Sequence, residues 1–124
     1  MANNLYTKGT MIALRNRFRG HNSLRIVYQK GKSAYSTNLK ILWLPTTAPS
    51  YRAAVVVSKK VHKSAVVRNR IRRRVYEQIR LYMNDKPSSV DIIFVAQNEA
   101  PAHESAKQLA DEVLPLLKKT IGVV

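Results

Sequence analysis

Between Ser58 and Arg74 the chain sets out Lys59, Lys60 and Lys63, then Arg68, Arg70, Arg72, Arg73 and Arg74, with Asn69 inside the arginine group. Ammonium and guanidinium groups at this density suit one chemistry above others, the pairing of phosphate oxygens along a polyanion, and guanidinium adds a bidentate fork. No carboxylate interrupts them. The first 76 residues hold 17 lysines and arginines and no acid, while the remainder holds all seven acids and five bases. The net charge of +15 therefore divides into +17 in front and −2 behind. A merely solvated face interleaves acids as i,i+4 partners, whereas eight bases between positions 59 and 74 repel one another until a polyanion relieves them.

Cutting chemistry has weaker material. Two-metal nucleases need clustered carboxylates, and Asp85, Asp91 and Glu99 show no paired spacing. His21, His62 and His103 are far apart and form no triad or ligand motif, so His62, among lysines, reads as a contact to RNA or solvent. The absence of cysteine excludes disulfides, thiolate zinc sites and cysteine nucleophiles, and fits a reducing cytoplasm. Residues 1 to 8 lack the apolar core of a signal peptide, and no run approaches the roughly 20 apolar residues of a membrane span. At 124 residues and 45% hydrophobic, one soluble cytosolic domain is expected.

The elements that must position these cations follow from periodicity. Residues 1 to 21 read as a basic N-terminal arm, and 22 to 124 as a single RNA-binding domain. Asn22-Ser23 offers an N-cap to a short helix carrying Leu24, Val27 and Tyr28, which Gly31 stops. Ser33 to Leu44 is extended, one strand with room for a short partner before it, and Pro45 breaks it. Arg52 to Val57 is a buried strand. Ser64 caps a helix to about Tyr82, in which Val67, Ile71, Val75 and Ile79 cover one arc and Arg70, Arg73 and Arg74 the opposite side. Lys59, Lys60 and Lys63 gather at its positive end. Arg68 and Arg72 lie at the apolar edge.

After the turn at 84 to 89, Val90 to Ala96 is a second buried strand. A last helix starts near Pro101 with the stripe Ala106, Leu109, Ala110, Val113, Leu114 and Leu117, and Pro115 should kink or shorten it. Strand, helix and strand over 53 to 96 make a βαβ unit with parallel strands, and the whole is α+β, a two-layer sandwich with helices on one sheet.

The segment Val57-Ser58-Lys59-Lys60-Val61, followed by Ala65-Val66-Val67-Arg68-Asn69-Arg70-Ile71-Arg72-Arg73, resembles the signature of the bacterial ribonuclease P protein component. The resemblance extends over most of residues 15 to 118. It implies a ribosomal protein S5 domain 2-like fold with a left-handed βαβ crossover, a hand that periodicity cannot supply because about 98% of crossovers are right-handed. It also implies a monomeric accessory subunit of a ribonucleoprotein that removes the 5′ leader from precursor tRNA. There the catalytic RNA performs the hydrolysis and holds most of the Mg ions, none being bound by the protein alone. Lys59, Lys60, Arg68, Asn69, Arg70, Arg73 and Arg74 would face that RNA. A cleft between the sheet and the basic helix would hold the single-stranded leader through Leu24, Tyr28 and Leu42, with Arg17 and Phe18 of the arm adding contacts. Leucines stand at two positions where the family often has a ring, so base stacking there should be weaker.

Two other readings share the charge pattern. A structural rRNA-binding protein of ribosomal type would show it, and so would a DNA-binding regulator reading a groove with the arginine helix. The lack of a helix-turn-helix or a dimerisation heptad weighs against the second.

Overall fold

Alternation in the strands becomes the two faces of one sheet. The computed structural model describes residues 21–84, 86 and 88–121, so the arm with Arg17 and Phe18 lies outside the described residues. Strands β1 (Lys32–Tyr35), β2 (Leu39–Pro45), β3 (Arg52–Val56) and β4 (Val90–Ala96) stand in the order β1-β2-β4-β3. The extended stretch from Ser33 is a hairpin, with Ser33 opposite Leu42 and Tyr35 opposite Lys40. Its turn is polar. Ser36 hydroxyl and Asn38 N–H both donate to Glu112, the latter at 2.7 Å, which ties the hairpin tip to the last helix.

Ile41, Trp43, Ile92 and Phe94 point to one face, where they pack on Ile71, Val75 and Ile79 of α2 (Ala65–Met83) and on Leu109, Val113 and Leu117 of α3 (Ala106–Ile121). Ile71, Val75 and Ile79 are fully buried. Each such side chain contributes about 1.5–3 kcal/mol, and Ile71→Ala should cost about 2–5 kcal/mol because a cavity is left as well. The short helix α1 (His21–Lys30) takes the opposite face, where Val27 meets Leu42 and Ile93. Helices therefore cover both faces, since β2 and β4 are apolar on both.

Gly31 is forced by contact. Its N–H closes α1 on the Val27 carbonyl at 2.8 Å, and a Cβ there would lie 2.5 Å from that oxygen and 2.8 Å from the Trp43 carbonyl. α1 starts at His21, so Asn22-Ser23 sits inside the first turn and not at the cap. Ser64 does cap α2, accepting from Val67 N–H.

α3 begins later than its apolar pattern suggests. Pro101 belongs to a 3₁₀ turn, Ala100–Ala102, and the helix proper is set by a reciprocal cap in which Gln108 N–H donates to Ser105 Oγ at 3.1 Å and Ser105 N–H to Gln108 Oε1 at 2.9 Å. The buried stripe is Leu109, Val113, Leu116, Leu117 and Thr120, while Ala106 is exposed. Pro115 does not shorten the helix, which runs on to Ile121. The proline is on the solvent side, where water can serve the carbonyl that its missing N–H leaves open.

The ladder settles the hand of the β3–α2–β4 connection. β3 and β4 are parallel neighbours. Gln97 N–H donates to the Asn38 carbonyl and Thr46 N–H to the Ser89 carbonyl, so odd residues of β4 bond to β2 and even ones turn their polar groups to β3. In an L-chain running upward, a residue whose side chain faces the viewer directs its N–H and C=O to the right. Ile92 and Phe94 face α2, so from α2 the first strand, β3, lies to the right of β4. The crossover is left-handed, against a rule that holds in about 98% of cases.

Candidate nucleic-acid interface

The loop from Ser58 to Ser64 and the outward side of α2 form one basic surface. Lys59, Lys60, Lys63, Asn69, Arg70 and Arg73 are exposed. Among the described residues, the ion pairs Arg52–Asp91, Arg80–Glu77, His103–Glu99 and Lys107–Asp111 leave all five of those cations without a carboxylate. The N–H groups of the first turn of α2 open toward the same region, which adds the positive end of the helix dipole.

Three arginines of the run work on the scaffold. Arg68 donates to the carbonyls of His62 at 3.0 Å and Lys63 at 2.9 Å, and so holds the loop that carries the lysines. Arg72 reaches Asn69 Oδ1 at 2.5 Å and the Val57 carbonyl. His62 Nδ1 accepts from Ser64 N–H at 3.0 Å, which makes it part of the loop's framework. Arg74, expected on the outward side, turns inward and donates to the carbonyls of Pro101, at 2.6 Å, and Glu104. Helix geometry explains this correction, because at 100° per residue Arg74 falls about 20° from Val67 and therefore at the rim of the apolar arc.

The residues expected to hold a leader are on the other side of the sheet. Leu24 is half-buried, Tyr28 is 47% exposed, and Leu42 is 4% exposed beneath Val27 and Ile93. Even-numbered residues of β2 point away from α2, so the structure does not bring Leu24, Tyr28 and Leu42 together with the basic helix. Any cleft that they line lies between the sheet and α1. The half-buried Val56 and Ala54 of β3 and Val95 of β4 extend that apolar strip. The nearly continuous β-branched run of β3 conceals them in the sequence, although its burial alternates residue by residue. Tyr35 and Lys40, paired on the same face of β1 and β2 with the ammonium 5.2 Å from the ring centroid, were also missed.

Arg52 grips Asp91 with two bonds, 2.9 and 2.7 Å, where β3 and β4 begin, and the pairing raises the arginine's pKa. Glu104 lies beside Glu112, and one of its carboxylate oxygens is buried without a partner. Burial, and then Glu112, raise its pKa above the ordinary 4.5, against the pull of Arg74. Among the described residues, no group of three His, Asp or Glu is close enough to hold a metal ion.

The family model described as Ribonuclease P matches residues 13–121. The chain belongs to the ribonuclease P protein family. Its relatives include the ribonuclease P protein component of Alkaliphilus oremlandii, 39% identical over 104 residues that cover 84% of this chain and 90% of the relative. That of Desulfovibrio desulfuricans is 37% identical over 95 residues, 74% of this chain and 72% of the relative. In shape the chain resembles the RNase P protein of Staphylococcus aureus, with a TM-score of 0.75 at 22% identity over 86% of this chain and 95% of that one. The RNase P protein of Thermotoga maritima gives 0.74 at 23% over 83% and 96%. The α+β fold, one four-stranded sheet with three helices and a left-handed crossover, is thus shared with ribonuclease P proteins.

Proposed function

We propose that the chain is the protein subunit of ribonuclease P, binding the catalytic RNA and the 5′ leader of precursor tRNA and assisting endonucleolytic removal of that leader. The observation that carries this reading is the meeting of a ribonuclease P family match with one uncompensated basic surface, in which Arg68 and Arg72 hold the loop and helix while Lys59, Lys60, Arg70 and Arg73 stay exposed. Those four and Asn69 meet the phosphates of the RNA. Arg68 and Arg74 contribute by holding the surface in shape.

The leader runs over the opposite face, along Tyr28, Leu24 and the half-buried strip of Ala54, Val56 and Val95. Leu42 supports this strip from below. On this reading hydrolysis and the Mg ions that serve it belong to the catalytic RNA, and the protein acts in the cytoplasm as a monomeric subunit. Its chemical contribution is electrostatic: cations fixed in place lower the repulsion between two polyanions brought together.

A ribosomal rRNA-binding protein would share the fold and the charge, so the discriminating test is preference. In filter binding at 150 mM salt the chain should bind a bacterial ribonuclease P RNA at least tenfold more tightly than a ribosomal RNA fragment of equal length. Equal affinities would remove the reason to prefer ribonuclease P.

A further inference from the structure

A pocket of about 340 Å³ lies between α2 and α3, lined by Arg73, Arg74, Glu77, Gln78, Ala106 and Leu109. Its volume is in the range of small-ligand sites, roughly 300–1,000 Å³. The pocket is distinct from the leader strip, which is on the other face of the sheet.

We infer that this pocket takes one unpaired nucleobase of the partner RNA, inserted between α2 and α3. The inference rests on the proposed RNA-binding role and adds to it a contact with a base. The two terminal nitrogens of Arg74 are both committed to backbone carbonyls, so what this arginine retains for the pocket is its guanidinium plane, held still. A fixed guanidinium plane is a stacking surface for a base. Leu109 and Ala106 give an apolar wall on α3. Gln78 offers an amide donor and acceptor at the rim, and Glu77 adds acceptor oxygens whose charge is balanced by Arg80 through two bonds, 3.1 and 2.8 Å. Arg73, exposed at the mouth, is placed for the phosphate of the same nucleotide.

Charge decides the occupant. Arg73, which lines the pocket and has no carboxylate partner among the described residues, would be left unrelieved by an uncharged peptide or an apolar metabolite, whereas a nucleotide supplies the ring for the pocket and the phosphate for Arg73. Duplex RNA keeps its bases stacked, so an unpaired position is required.

The test uses Ala106→Trp, which fills the pocket from an exposed helix position, and Gln78→Ala, which removes only the amide. Dissociation constants are measured over a salt series for a bacterial ribonuclease P RNA and for a blunt RNA duplex without unpaired bases. Ala106→Trp should weaken binding of the first about tenfold, and Gln78→Ala a few-fold. Neither should alter duplex affinity or the slope of log affinity against log salt. If both variants bind the ribonuclease P RNA like wild type, or lose equal affinity for the two RNAs, the base pocket is wrong. Wild-type protein that binds the duplex as tightly as the ribonuclease P RNA would instead sink the underlying reading.

Discussion

Arg74 on α2 donates to the carbonyl oxygen of Pro101 across 2.6 Å, and so fastens the basic helix to the turn that precedes α3. Its neighbour Arg73 is exposed and has no carboxylate partner among the described residues. Adjacent arginines of one run thus divide between holding the fold and facing solvent, because 100° of helix rotation separates a rim position from an outward one.

Replacing Arg74 by lysine keeps the charge and loses the planar fork that reaches two carbonyls. The variant should be less stable by about 1–3 kcal/mol, the range for bonds to a charged donor. Urea unfolding checks this, and an unchanged midpoint would show that the two bonds add nothing.

Arg70→Ala and Arg73→Ala should behave in the opposite way. If each arginine meets one phosphate, as proposed, the slope of log affinity against log salt should shrink by about 1 for each. Stability should stay within about 0.5 kcal/mol of wild type, as for other exposed positions. A slope that does not move would take that residue off the RNA surface.

Most of the fold was legible. The period of Val67, Ile71, Val75 and Ile79 locates α2, Ser64 its start, and the β-branched runs locate β3 and β4. What periodicity could not show was which arginine turns inward, since the bonds of Arg74 depend on carbonyls 27 and 30 residues away. The start of α3 depended on a Ser105–Gln108 cap that its apolar stripe conceals. Alternation in β2 tells that Leu42 and Ile41 face opposite ways without telling which helix lies on which side, so the position of Leu42 under α1 and away from α2 comes only from the structure.

Glu104 makes stability fall as pH rises above the ordinary carboxylate range. Its folded pKa is raised by burial and by Glu112, so ionising it opposes folding; this destabilisation is absent below the unfolded value of 4.5 and grows as pH rises through the folded value. Glu104→Gln should therefore melt higher than wild type at pH 7, and the difference should vanish toward pH 4. Melting curves across that interval check it. An equal difference at both ends would mean that the carboxyl's charge is not the cause.

Tyr28 is half-exposed on α1 and available to an unpaired base. Tyr28→Ala should weaken binding of precursor tRNA by the reconstituted ribonucleoprotein by about 1–3 kcal/mol and leave mature tRNA, which has no leader, nearly unchanged. Equal losses for both RNAs would make Tyr28 a packing residue.

The most direct measurement is leader removal itself. A bacterial ribonuclease P RNA is assayed on precursor tRNA at limiting magnesium, alone and with this chain, and the rate of appearance of the mature 5′ end is followed. The chain should raise that rate at least tenfold, and Arg70→Ala/Arg73→Ala should lose most of the gain. Leader removal no faster with the chain than with the RNA alone would contradict the account.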